Sequence, residues 1–98
     1  MDASQRHARA LERALAELIP QLKDPRIPVV ATIERVRLSA DFSAAKVLVS
    51  TLREEDEAPL KAALERASGF LQRRLAAAAD LRRTPRLSFH TDPAEVLS

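Results

Sequence analysis

The first apolar rhythm along the chain has a helical period. Ala8, Leu11, Leu15, Leu18 and Leu22 recur at spacings of three and four, with Ile19 beside them, which predicts an amphipathic helix over residues 4–22. Ser4 stands where an N-cap belongs. Pro20 predicts that the regular helix ends near Ile19. In Lys23-Asp24-Pro25-Arg26 the aspartate precedes proline and is biased away from helical geometry, so a turn or extended connector is expected.

The period then changes to two. From Val29 to Ser39 β-branched residues dominate, and Val36 and Leu38 alternate with Arg35 and Arg37, the pattern of a half-buried strand. The alternation slips phase between Ile33 and Val36, as one extra residue in a β-bulge requires. After the polar turn Ala40-Asp41-Phe42-Ser43, Ala44 to Leu52 alternates again, with Val47 and Val49 on one side and Lys46 and Ser50 on the other. Two such runs so close together predict an antiparallel hairpin. Helical spacing returns over Ala58–Leu81, first with Leu60, Leu64 and Ala67, then with Phe70, Leu71, Leu75 and Ala78. Asp56 occupies the cap position of that run and Pro59 its first turn. Arg86–Thr91 reads as a third strand with Leu87 and Phe89 inward, and residues 92–98 as a loosely held tail. The order predicts one α+β domain over residues 1–98. Its sheet is three-stranded and mixed, with helices covering one face and the other face more open.

The long helical run is interrupted at Ala67-Ser68-Gly69, which contains the only glycine of the chain. Glycine costs about 1 kcal/mol relative to alanine in a helix interior. Its position therefore predicts a kink, or a close crossing where no side chain fits, and Gly69→Val is expected to lower the melting temperature. With one glycine, no glycine-rich phosphate loop exists.

Composition narrows the classes further. A domain of 98 residues buries roughly 60–65% of its unfolded surface, enough for one core. Without cysteine there is no disulfide framework, thiolate nucleophile or sulfur-ligated metal. No apolar stretch approaches the ~20 residues of a membrane span, and the charged start MDASQRHARALER lacks a signal-peptide core. A soluble, cytoplasmic, monomeric protein with no membrane partner is expected. The net charge is only +2, but residues 61–86 carry seven basic and two acidic side chains. Arginine outnumbers lysine 13 to 3, which suits bidentate phosphate contacts.

Several segments together resemble one family. They are Lys23-Asp24-Pro25-Arg26, Val36-Arg37-Leu38-Ser39-Ala40-Asp41 leading into Ala45-Lys46-Val47, Ala67-Ser68-Gly69-Phe70, and Leu81-Arg82-Arg83-Thr84-Pro85-Arg86-Leu87-Ser88-Phe89. In this order and spacing they resemble ribosome-binding factor A, a bacterial assembly factor of the small ribosomal subunit. The resemblance implies a type II KH-like fold in which an Ala-x-Gly kink, here Ala67 and Gly69, replaces the usual Gly-x-x-Gly loop. It also implies binding to the small subunit and its rRNA late in maturation, a part in rRNA processing and cold adaptation, and release by a ribosome-dependent GTPase.

Arg73, Arg74, Arg82, Arg83 and Arg86 are the leading candidates for phosphate contacts, because Arg73 and Arg74 lie off the apolar stripe and the others flank the helix end and the strand start. The competing reading is a solvated face, with Arg82 and Arg83 complementing the helix dipole. Lys46, Arg37 and Arg35 extend the surface, or are ordinary strand-face polarity. Sequence-specific readout of single strands usually stacks bases on aromatics. Here only Phe42, Phe70 and Phe89 exist, the last two expected in the core, so recognition of folded RNA by phosphate and shape is favoured. Asp24-Pro25-Arg26 either touches RNA or pairs locally to set the angle between helix and strand. His7 and His90 have no second ligand at metal spacing. Glu54-Glu55-Asp56-Glu57 suggests Mg²⁺ less than a solvated helix start. No catalytic constellation, cofactor motif or metal site emerges, and a small phosphatase would need an anion-binding loop the chain lacks. The rival to an RNA-binding assembly factor is a protein-interaction domain that uses the open sheet face and the acidic loop 53–57.

Overall fold

The computed structural model describes residues 3–78 and 84–97. Helix α1 spans Ala3–Leu18 and tightens into a single 3₁₀ turn, Ile19–Gln21, with Pro20 at its second position. Ser4 lies within the helix instead of capping it. The face formed by Leu11, Leu15 and Leu18 is buried, as the three-and-four spacing requires.

Strand β1 covers Ala31–Leu38 and β2 covers Ala44–Thr51. They pair antiparallel with Val36 opposite Val47 and Arg37 opposite Lys46, and the register shifts between Ile33 and Arg35. The bulge is therefore where the sequence alternation slips, at Glu34. The strand begins later than Val29 because the pairing starts at Ala31, opposite Thr51, and both Val29 and Val30 are exposed.

A 3₁₀ turn, Glu54–Asp56, leads into α2, Glu57–Arg66. Asp56 takes the cap position but its side chain makes no capping bond. Helix α3 follows over Ser68–Ala78, and the expected end of that run at Leu81 lies outside the described residues. Strand β3, Arg86–His90, joins the far side of β2 in parallel, with Ala45 beside Leu87 and Val47 beside Phe89. The sheet order is β1-β2-β3. A parallel neighbour needs a long crossover, and α2 with α3 supplies it.

The break between α2 and α3 sits at Ala67, not at Gly69. Ala67 has φ −86° and ψ 0°, so its ψ is rotated out of the helical range and redirects the chain. Its N–H still donates to the Ala63 carbonyl at 3.0 Å, and its own carbonyl accepts from the Leu71 N–H at 2.9 Å. One residue thus ends one helix and starts the next. Ala67 also packs against the core. Gly69 does neither. It is exposed, no glycine has a positive φ, and a Cβ there would meet only the tip of Arg73, at 3.6 Å. The expectation of a crossing too tight for a side chain is overturned, because the close-packed position of the junction is two residues earlier.

Leu11, Leu15, Leu60, Leu64, Leu71, Leu75, Val47 and Phe89 form the centre of the core. Each fully buried leucine contributes roughly 1.5–3 kcal/mol. Phe70, expected beside them, is only half-buried.

Helices α1 to α3 lie on the Val47 face of the sheet, as predicted. The opposite face is less open than predicted, because residues 94–97 are not a loose tail. Ala94–Leu97 forms a short helix, α4, with Val96 buried, and α4 packs on β1 and β2. Leu48, which points to this face, is 5% exposed.

Candidate nucleic-acid interface

The predicted cations fall on two sides of the sheet. Arg73 and Arg74 are exposed on the outer surface of α3, because Leu71 and Leu75 turn inward and are fully buried. The Arg74 guanidinium lies 5.8 Å from the centre of the Phe70 ring, a cation–π distance. That contact explains the half-exposed phenylalanine, which serves as a platform for a cation and not as core. Arg73 reaches back over Gly69.

Arg37, Lys46 and Arg86 project from the other face, since they alternate with the buried Val36, Ala45, Val47 and Leu87. All three are exposed. Arg35 shares this face, opposite Leu48. Two of these side chains have definite partners in α4. Arg37 Nη1 donates to the Val96 carbonyl at 3.2 Å, and Lys46 Nζ donates to the Glu95 carbonyl at 3.2 Å. Sequence reasoning missed this role, which depends on contacts nearly fifty residues or more apart along the chain. Arg82 and Arg83 lie outside the described residues.

The connector 24–26 is a local clamp. Arg26 donates to Asp24 through Nε at 3.0 Å, through Nη2 at 2.6 Å and through its backbone N–H at 2.9 Å. This bidentate pairing, together with the backbone bond and the nearby Arg66, holds the Asp24 carboxyl at about 2 and raises the Arg26 guanidinium. The arginine is engaged within its own turn, as the local-pairing alternative for this segment requires.

In the hairpin turn, Asp41 Oδ1 accepts from the Ser39 and Ser43 hydroxyls at 2.8 and 2.7 Å and from the Ser43 N–H at 3.0 Å. The Ser43 bonds, with Ser39 behind them, lower the Asp41 carboxyl to about 2. Phe42 in this turn has φ 61° and is met edge-on by the His7 ring, centroids 5.0 Å apart. His90 bridges Ser88 Oγ at 2.8 Å and Glu95 Oε1 at 3.0 Å. Both histidines thus have structural neighbours. Among the described residues no three His, Cys, Asp or Glu side chains are placed to hold a metal ion, and no helix is long and apolar enough to cross a membrane. The groove between α1 and the edge of β1 mixes Arg9 and Arg35 with Glu12 and Glu34, so carboxylates oppose any anion there.

Three helices on one side of a mixed three-stranded sheet, in this order along the chain, make a KH-like domain. A family profile for ribosome-binding factor A matches residues 3–96. The crystal structure of ribosome-binding factor A from Thermus thermophilus is 41% identical, with a TM-score of 0.81, and the match covers 92% of this chain and 97% of that one. A homology model of Thermus thermophilus ribosome-binding factor A, fitted into a cryo-EM map of its complex with 30S, is 46% identical over 86% of this chain and 89% of that one, with a TM-score of 0.71. The chain belongs to the ribosome-binding factor A family.

Proposed function

We propose that this protein is a non-catalytic assembly factor that binds the small ribosomal subunit and its rRNA late in maturation, with roles in rRNA processing and growth in the cold, and that a ribosome-dependent GTPase releases it as a monomer. The observation that carries this reading is the 46% identity to a chain seated in a 30S complex map. The α3 surface supports it. Arg73 and Arg74 stand exposed on it, one reaching over Gly69 and the other over the Phe70 ring. Such a surface reads phosphates and shape, and binding then biases partly folded rRNA toward the state it fits better.

Arg73→Glu with Arg74→Glu tests the surface. The double variant keeps its fold, because both side chains lie outside the core. It binds small subunits at least tenfold more weakly, as expected when at least two phosphate contacts each worth a log–log salt slope of about 0.7–0.9 are lost. Unchanged affinity in a folded double variant would remove α3 from the interface.

A protein partner is favoured by a different region. Val29, Val30 and Leu52 are exposed around the end of the hairpin, next to the acidic 54–57 segment. That reading uses the outer sheet face together with the acidic loop 53–57. Cross-linking to RNA or to ribosomal protein distinguishes the two.

A further inference from the structure

We propose that the outer face of the sheet is a second RNA-phosphate surface, occupied within the free protein by the carbonyl end of α4. This inference rests on the RNA-binding reading above. Arg37 and Lys46 are direct cross-strand partners. Like charges placed opposite each other on a sheet repel, so the pair requires acceptors between or above it. The acceptors are the backbone oxygens of two successive residues, Glu95 and Val96, each 3.2 Å from its donor. Two cations converging on two adjacent oxygens is the arrangement with which a protein grips the oxygens of one phosphate, and the negative end of a helix dipole stands in for that charge. Arg86, beside Ala44, continues the positive surface on the β3 side.

The cover is built to come off. Helix α4 has four residues, too few to be stable alone. One buried side chain, Val96, anchors it. Asp92 Oδ1 accepts from the Ala94 N–H at 3.0 Å, and Glu95 leans on His90. A phosphate is a stronger acceptor than a peptide carbonyl, because its hydrogen bonds to the two cations are charge-assisted on both sides. Nucleic acid therefore competes with α4 for the same donors, and the apparent affinity of this face is reduced by the fraction of time α4 is docked.

Val96→Ser tests this without changing charge. Amide hydrogen exchange over residues 94–97 reports whether α4 is released. Fluorescence anisotropy with a short A-form RNA duplex reports binding across a salt series. In the released variant the duplex binds roughly tenfold tighter if the open state is populated at about one part in ten. The salt slope stays the same, because both proteins bind through the same open state and neutralise the same phosphates. Adding Arg37→Ala and Lys46→Ala to Val96→Ser abolishes the gain in affinity and makes the slope shallower by about 1.4–1.8, the share of two lost phosphate contacts. A chain ending at Pro93 repeats the experiment should the serine variant be too unstable, with Glu95→Gln as its charge control. If α4 is released and affinity does not change while wild type still binds the duplex, the sheet-face site is refuted and the α3 reading stands. Failure of wild type to bind small subunits at all refutes the RNA reading and this inference with it.

Discussion

The hairpin turn and the junction between α2 and α3 both reverse or redirect the chain within a few residues, and they do so by opposite means. In the turn, Phe42 adopts a left-handed φ of 61° with no glycine present. That conformation is costly for a residue with a side chain. It is held by the Asp41 carboxylate, which gathers the Ser39 and Ser43 donors, and by the edge-on contact with His7. At the junction the single glycine has a conformation that any residue adopts, and a Cβ there would make only an ordinary contact with the tip of Arg73. The alanine two positions earlier carries the bend. Backbone strain in this domain is supported by hydrogen bonding, while glycine sits where the folded chain makes no demand on it.

The largest effect should come from enlarging the true bend. Ala67→Leu forces a bulky side chain against the core and should lower stability by about 2 kcal/mol in urea unfolding. Gly69→Ala should act in the opposite direction and raise stability by about 0.5–1 kcal/mol, since helix propensity improves and nothing clashes. Should Gly69→Ala destabilise the fold and Ala67→Leu leave it intact, the glycine is the packing residue after all. The smallest change at neutral pH belongs to the turn. Asp41→Asn keeps an acceptor oxygen but loses the charge, so melting near pH 7 should fall slightly. Acid separates the two proteins. The Asp41 carboxyl is lowered to about 2, so its contribution is complete above the ordinary carboxylate pKa near 4 and disappears as pH falls toward 2. The melting temperature of wild type should fall more steeply than that of the asparagine variant between pH 4 and 2. Parallel curves would show that the carboxylate does not hold the turn.

The elements that hold the most buried residues were legible from periodicity. Leu11, Leu15 and Leu18 marked α1, the alternation in β1 and β2 assigned their faces, and the phase slip after Ile33 located the bulge. These features repeat over several residues, so local spacing carries them. Helix α4 was invisible because four residues cannot show a helical period and because its stability comes from β1 and β2. The cations were found as residues but not as a geometry. Alternation places Arg37 and Lys46 on one face, yet only the three-dimensional fold shows that they hold α4 and that α3 presents Arg73 and Arg74 on the other side of the sheet. Phe70 misled for a similar reason, since spacing does not distinguish an aromatic that packs inward from one that lies under a neighbouring arginine.

The bulge at Glu34 has a consequence for crowded solutions. Strand β1 borders the sheet, and a flat apolar border strand invites another chain to pair with it and grow into an aggregate. The extra residue breaks the regular spacing of donors and acceptors along that border, and Glu34, Arg35 and Arg37 are all exposed on it. The irregularity that shifts the sequence pattern by one position thus also makes this border a poor template for a further strand.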